Sequence, residues 1–262
     1  MESVQPISPV AGYVGGKKQL ARTLVERIGA IDHQIYAEAF VGMGGVFLRR
    51  ETRPKVEVIN DASRDIATFF RILQHHYQAF LDMLKWQLTS RAQFQLLVQQ
   101  DPDTLTDLHR AARFLYLQRL SFGGKVASRS FGIDTGGPGR FDVTRLVPLL
   151  EAVHERLSGV WIECLGWQAF IERWDRPGTL FYLDPPYWGT EHYYGKGMFT
   201  RSEFELLSGA LQRLQGRFIL SLNDVPEVRE LFAWATIDTV ELSYQAGGAA
   251  NTKRVREVVI TR

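Results

Sequence analysis

The chain has a single cysteine, Cys164, among 262 residues. That count excludes an internal disulfide and any cysteine-rich zinc site. No run of about eighteen apolar residues occurs, so no segment has the length that a membrane-spanning helix needs. Met1 to Pro9 lack the basic stretch followed by an apolar one that marks a secretory leader. Internal repeats are missing. With 45% hydrophobic and 23% charged residues, the composition is that of a globular protein rather than a disordered one. The expectation is a cytoplasmic protein with no membrane contact and no metal, acting as a monomer or weak dimer. The length allows one large α/β domain or two modest ones.

The net charge of +2 is small but unevenly spread. Residues 110–145 carry seven basic side chains (Arg110, Arg113, Arg119, Lys125, Arg129, Arg140 and Arg145) against Asp134 and Asp142, a local excess of five. Such a segment is either a surface for a polyanion or an ordinary solvated basic face.

Apolar periodicity divides the chain in three. The Gly-rich stretch Gly12–Lys17 precedes a helix with Leu20, Leu24, Val25 and Ile28 on one side. Ile35 to Phe40 reads as a strand ending in Val41-Gly42-Met43-Gly44-Gly45, and Lys55 to Ile59 as a second strand ending at Asn60-Asp61. Strand, glycine loop, helix, strand and acid open an α/β nucleotide-binding unit. Residues 63–159 then read as mainly helical, with a Gly- and Ser-rich loop over 122–139. Strands return at 160–165, 179–183 and 217–222, with a helix after Thr200, which with Glu203 forms a capping box. Two final strands, 236–244 and 254–261, are joined directly and so form an antiparallel edge pair. The fold class is therefore α/β, with a catalytic unit made of 1–62 and 160–262 and an insertion at 63–159.

The most specific motif is Asp184-Pro185-Pro186-Tyr187, directly after the apolar strand Thr179–Leu183. Ligands of open α/β sheets bind at the carboxyl ends of strands. Two prolines donate no N–H and fix φ, which leaves a rigid turn presenting carbonyl oxygens. A carboxylate beside such a carbonyl makes two fixed acceptors, suited to the two hydrogens of an NH2 group. The aromatic that follows offers a face for a flat ring. Asp61, ending the second strand, is either an acceptor for ribose hydroxyls or a helix N-cap. The glycine loop lacks the third glycine of the dinucleotide fingerprint, and the chain has no Walker lysine, which favours a nucleoside ligand without pyrophosphate.

In this order the motifs resemble the Dam-like, D12-class DNA adenine-N6 methyltransferases of bacteria and phages, over nearly the whole chain. Tyr13-Val14-Gly15-Gly16-Lys17 resembles their N-terminal Trp-Ala-Gly-Gly-Lys, and Glu38 to Phe47 their Glu-Pro-Phe-x-Gly-x-Gly-x-x-Phe. Asp184 to Tyr187 is their catalytic motif unchanged. Arg113 to Arg119 and Phe141-Asp142-Val143 resemble parts of their target-recognition region, while Gly166-Trp167 replaces a common acidic-aromatic pair. The resemblance implies a Rossmann-like methyltransferase fold with a helical target-recognition insertion. It implies S-adenosylmethionine across Tyr13, Lys17, Glu38, Phe40, Gly42, Gly44 and Asp61. It also implies duplex DNA as partner, with Asp184, Pro185, Pro186 and Tyr187 as the catalytic turn. Candidate DNA contacts are Arg119, Lys125, Arg129 and Arg140, with Phe122 either a wedge filling the space of a flipped base or a core residue. In relatives that read GATC, an arginine follows the recognition helix where this chain has Ala127, unless Arg129 substitutes. The implied target is GATC or a relaxed relative.

Other readings of the same residues are an inactive DNA-binding regulator, or methylation of RNA, a protein amide or cytosine N4. Relatives of the RNA and protein type usually carry Asn, and those of the cytosine type Ser, at position 184. His75 and His76 read as surface imidazoles, and His192 as a structural residue in a lip over the substrate at 188–195. Trp86, Trp161, Trp174 and Trp234 read as packing residues. Asn251, Lys253 and Arg254 read as phosphate contacts or a solvated turn.

Overall fold

A computed structural model describes the chain apart from residues 14, 16, 18, 134–135, 191–198 and 246–251, and the side chains of 243–245 and 252–254. The N-terminal strand β1 (Glu2–Ser3) pairs with β3 (Thr52–Arg53). The main sheet contains β2 (Ile35–Glu38), β4 (Val56–Asn60), β5 (Trp161–Glu163), β6 (Thr179–Leu183), β7 (Arg217–Asn223), β8 (Thr236–Gln245) and β9 (Thr252–Thr261). Their spatial order is β5-β4-β2-β6-β7-β9-β8. The first five run parallel, while β9 is antiparallel to both β7 and β8. The antiparallel C-terminal pair is as the directly joined strands require. This is a Rossmann-like doubly wound sheet whose strand order reverses between β2 and β6.

Strand residues alternate between two buried layers, the period-2 pattern of a sheet covered on both faces. Tyr36, Ile59, Leu180, Tyr182 and Ile219 face one cluster. Ala37, Val58, Phe181, Leu183 and Leu220 face the other. On the first side lie α1 (Ala21–Ala30), α2 (Arg64–His75), α3 (Tyr77–Leu84), α4 (Arg91–Gln99), α5 (Asp107–Leu120) and α6 (Val143–Arg156). On the second lie α7 (Trp167–Trp174), α8 (Arg201–Gln212) and α9 (Pro226–Leu231). The helices between β4 and β5 share their hydrophobic cluster with the sheet, since Phe69, Phe80 and Phe114 belong to the same buried group as Tyr36 and Leu180.

Three local expectations are corrected. Thr200 makes no side-chain cap on α8, because its hydroxyl bonds Ser202 and Glu203 instead accepts from the indole of Trp167. Tyr77, Phe80, Leu81, Leu84 and Leu88 have helical spacing in the sequence, but the helix stops at Leu84, and a separate helix, α4, follows the N-cap Ser90, whose hydroxyl accepts from Gln93 N. Trp86 and Trp161 are not packing residues: they are 80% and 60% exposed. Among the described residues no helix is long and apolar enough to cross a membrane, and no metal-binding cluster occurs.

Candidate active site

A cavity of about 430 Å³ opens at the carboxyl ends of β2, β4 and β6, where the strand order reverses. That volume lies in the roughly 300–1,000 Å³ range of small-molecule sites. Each strand supplies an acid to it: Glu38 from the end of β2, Asp61 just past β4 and Asp184 just past β6. Phe40, Val41, Met43 and Phe199 form apolar walls. Of the cofactor residues expected, Tyr13, Lys17, Glu38, Phe40, Gly42 and Asp61 line the cavity, together with Asp184 and Pro186 of the catalytic turn. Gly44 does not. Its positive φ of 75° and the closeness of Leu48 (2.9 Å from where a Cβ would stand) give it a packing role. At Gly42, with φ of 51°, a Cβ would stand 3.1 Å from the Tyr13 ring, so glycine lets that ring close over the loop.

Asp61 accepts from Gly42 N at 3.0 Å and Ser63 N at 2.9 Å. Asp61 is not the N-cap of α2, a position that Ser63 holds: its carboxylate ties the glycine loop to the residue before the helix and still faces the cavity. Burial pushes its pKa up to about 6, against those two N–H bonds. Glu38 is 2% exposed and accepts from the Tyr36 hydroxyl at 2.6 Å. Burial raises its pKa to about 8, with the Tyr36 bond and the charge of Arg50 opposing.

Asp184 is held by two neighbours. Lys17 Nζ lies 2.8 Å from its Oδ1, and Ser221 Oγ donates to the same oxygen at 3.0 Å. Ser221 lies 2.9 Å from the Tyr182 hydroxyl in turn. Among the described residues both bonds fall on Oδ1, which leaves Oδ2 for a ligand. Burial raises the Asp184 pKa to about 6, with Lys17 pulling it down and Glu257 pushing it up. Lys17 also donates to the Tyr187 hydroxyl and lies 3.6 Å from Glu257 Oε2. The turn after Tyr187 is pinned by Asn223, which accepts from Trp188 N at 2.9 Å and donates to its carbonyl at 3.0 Å. Asp184 is therefore salt-bridged yet still turned into the cavity.

Sequence reasoning missed Ser221, Asn223 and Glu257. Two charged residues, Arg256 and Glu257, precede the apolar run Val258–Ile260, and the second falls on the same side of β9 as the buried Val259, which is the signal that could have found Glu257.

The basic segment is largely turned inward. Arg110 pairs with Asp65 and Asp103, and Arg113 donates to the Leu97 carbonyl. Arg119 lines the cavity and donates to the carbonyls of Val10 and Arg140 at 2.9 and 2.7 Å. Arg129 donates to Gln118 and stands over the Phe114 ring, and its burial lowers its pKa to about 10. Lys125 is exposed, while Arg140 and Arg145 line a second groove beside Gln118 and Gly124. Phe122 is 59% exposed, so it is no core residue. His192, the lip at 191–195 and Asn251 lie outside the described residues, as do the side chains of Lys253 and Arg254.

A doubly wound sheet with an acid-lined cavity at its reversal point, and Asp-Pro-Pro-Tyr at the cavity edge, defines a Rossmann-like methyltransferase. The chain belongs to the D12 class N6 adenine-specific DNA methyltransferases, whose family model matches residues 13–245. It is 23% identical to a type II methyltransferase of Lactococcus lactis subsp. cremoris, over 97% of this chain and 95% of that one. A type II methyltransferase of Paramecium bursaria Chlorella virus NC1A is 21% identical over 86% of each chain. The DNA N-6-adenine-methyltransferase of Escherichia phage P1 is 26% identical over 74% of this chain and 27% of its own length. The activity is DNA adenine-N6 methylation, and family and fold imply S-adenosylmethionine as the methyl donor.

The cavity fits that donor. Its lining carries Glu38, Asp61 and Asp184 against Lys17, Arg49 and Arg119, with apolar walls at Phe40, Val41, Met43 and Phe199. All three cations are already engaged with the protein, Lys17 with Asp184, Arg119 with the carbonyls of Val10 and Arg140, and Arg49 with the Gly45 carbonyl. Buried acceptors therefore remain for a ligand carrying positive charge.

Proposed function

We propose that the protein methylates the N6 of an adenine flipped out of duplex DNA, with Asp184 and the Pro185 carbonyl accepting the two amine hydrogens. The observation that carries this reading is Asp184 turned into the same cavity as Glu38 and Asp61, one oxygen anchored by Lys17 and Ser221 and the other left for a ligand. Bound at Tyr13, Lys17, Glu38, Phe40, Gly42 and Asp61, S-adenosylmethionine supplies a methyl group on a cationic sulfur. The adenine N6 lone pair is delocalised into the ring. Two fixed acceptors favour a pyramidal nitrogen, and their hold strengthens as positive charge grows there, which is transition-state rather than ground-state stabilisation. Alignment supplies much of the remaining acceleration.

A pocket at strand ends cannot enclose a stacked base, so the adenine leaves the helix at a cost of a few kcal/mol. Stacking on Tyr187 returns about 1–3 kcal/mol. The 63–159 segment forms the target-recognition part of this reading, with Phe122 as the wedge and Lys125, Arg140 and Arg145 as the cations nearest solvent. A relaxed target is favoured over strict GATC: position 127 is alanine, and the Arg129 guanidinium is held against Gln118 and Phe114. The type II relatives favour a modification role in a bacterial or phage cytoplasm.

The test is Asp184→Ala with labelled S-adenosylmethionine and unmethylated DNA, followed by sequencing of the modified sites. Transfer is expected to vanish while the fold and cofactor binding persist. Near-normal transfer by the variant would reject the assignment, and a wild-type protein that binds DNA without labelling it would favour an inactive regulator.

A further inference from the structure

Glu257 is a buried acid in the reaction centre that no motif marks. It is 2% exposed, on β9, directly opposite Asn223 of β7. Lys17, itself 3% exposed, stands between two carboxylates, 2.8 Å from Asp184 and 3.6 Å from Glu257. Its third partner is the Tyr187 hydroxyl, which also bonds Glu257. An ammonium has three donors, and Asp184 and Tyr187 take two of them while Glu257 stands at ion-pair distance from the nitrogen. Two carboxylates against one ammonium leave the cluster an excess negative charge in a nearly water-free place.

The difficulty for catalysis is that Lys17 sits on the acceptor the adenine amine needs. A cation on Asp184 weakens that carboxylate as an acceptor, and an ammonium stripped of its partner in a dry site is costly. A second carboxylate already in reach removes the cost. We propose that Glu257 is a positioning residue that takes over the ammonium of Lys17 when the target amine engages Asp184, while keeping Tyr187 in place. This rests on the reading that Asp184 receives the amine.

The charged and titratable groups facing Asp184 are Lys17 from the loop before α1, Glu38 from β2, Tyr182 and Tyr187 from β6 and its turn, and Glu257 from β9. Of these, Glu257 adds to the raised pKa of Asp184. Replacing it by a neutral isostere therefore has two separable consequences. Lys17 stays on Asp184, which lowers turnover, and the acid limb of the pH profile moves to lower pH.

The experiment compares wild type, Glu257→Gln, Glu257→Asp and Asp184→Ala for methylation of duplex DNA across pH 5–9, with melting temperature and cofactor binding measured on each. For Glu257→Gln the expected result is a kcat lower by about ten- to a hundredfold, the scale of one hydrogen bond to a charged group, with cofactor affinity nearly unchanged. Its acid limb should lie below that of wild type. Glu257→Asp keeps the charge, so it should recover part of kcat with the limb unmoved; it is the deciding variant if Glu257→Gln does not fold. Wild-type turnover in Glu257→Gln overturns the inference, and so does a displaced acid limb in Glu257→Asp. So does a loss in Glu257→Gln with an unmoved limb, which would mark a purely structural role. If Asp184→Ala stays active, or wild type makes no N6-methyladenine, the underlying reading has failed instead.

Discussion

Cofactor binding should strip a proton from the protein, and the structure sets how much. Glu38 closes the floor of the cavity at the end of β2, almost fully buried, with a pKa of about 8. At pH 7 such a group is about nine-tenths protonated. A ligand carrying positive charge at this position selects the carboxylate, so about 0.9 proton should leave per cofactor bound at pH 7. Affinity should therefore rise about tenfold from pH 6 to pH 7. Asp61, with its pKa of about 6, adds a smaller rise in the same window. The ligand's own α-amino group titrates near about 8, so the clean window lies below pH 7.5. Calorimetry with S-adenosylmethionine in buffers of different ionisation enthalpy reads the released proton directly. Glu38→Gln should abolish most of the release and flatten the slope. Tyr36→Phe removes a bond that favours the carboxylate, so it should carry the slope on to higher pH. A flat affinity from pH 6 to 7.5 with no proton exchange would refute the reasoning. The same raised pKa has the opposite sign for the empty protein. The stability it contributes is complete below the ordinary carboxylate range and lost as pH rises through about 8. For Asp61 and Asp184 the loss comes through about 6.

Gly124 has a φ of 66°, and a Cβ there would stand 2.9 Å from the backbone of Gly12 and Tyr13, which cannot swing aside. Gly124→Ala should cost about 1–3 kcal/mol in urea unfolding and raise the KM for cofactor by shifting Tyr13; unchanged values for both would discard the coupling. Phe122→Ala, at an exposed side chain, should leave stability within about 0.5 kcal/mol yet lose the fluorescence rise of 2-aminopurine placed at the target adenine. An undiminished rise would count against the wedge.

How much of this was legible in the sequence depends on how far apart the partners lie. Strand ends and the acids beyond them were readable because the apolar run Thr179–Leu183 and the turn at Asp184 are contiguous. The basic excess over 110–145 was misleading for the opposite reason. Arg110 is neutralised by Asp65, 45 positions away, and Arg119 is held inward by the Val10 carbonyl, 109 positions away, so a sum over a window counts cations that the fold has already engaged. Glu203 looked like the partner of Thr200 three residues back, but Trp167 from α7 reached it first. Glu257 was hidden because its meaning comes from Lys17, which only the closing of the sheet brings beside β9.

The three cavity acids have raised pKa values for one shared reason, the loss of water, but not to the same extent. At pH 7 Glu38, with its pKa of about 8, keeps its proton, while Asp61 and Asp184, at about 6, are mostly ionised. A cation entering beside Glu38 exchanges that proton for its own charge, and the carboxylate so formed balances it, so the net field at Asp184 changes little. The amine acceptor is thus ionised at pH 7 both before and after the methyl donor arrives. Single-turnover rates under saturating cofactor should therefore fall, as the pH is lowered, with a midpoint of about 6 and not of about 8; a midpoint of about 8 would show that Glu38 still has to give up its proton with the cofactor bound.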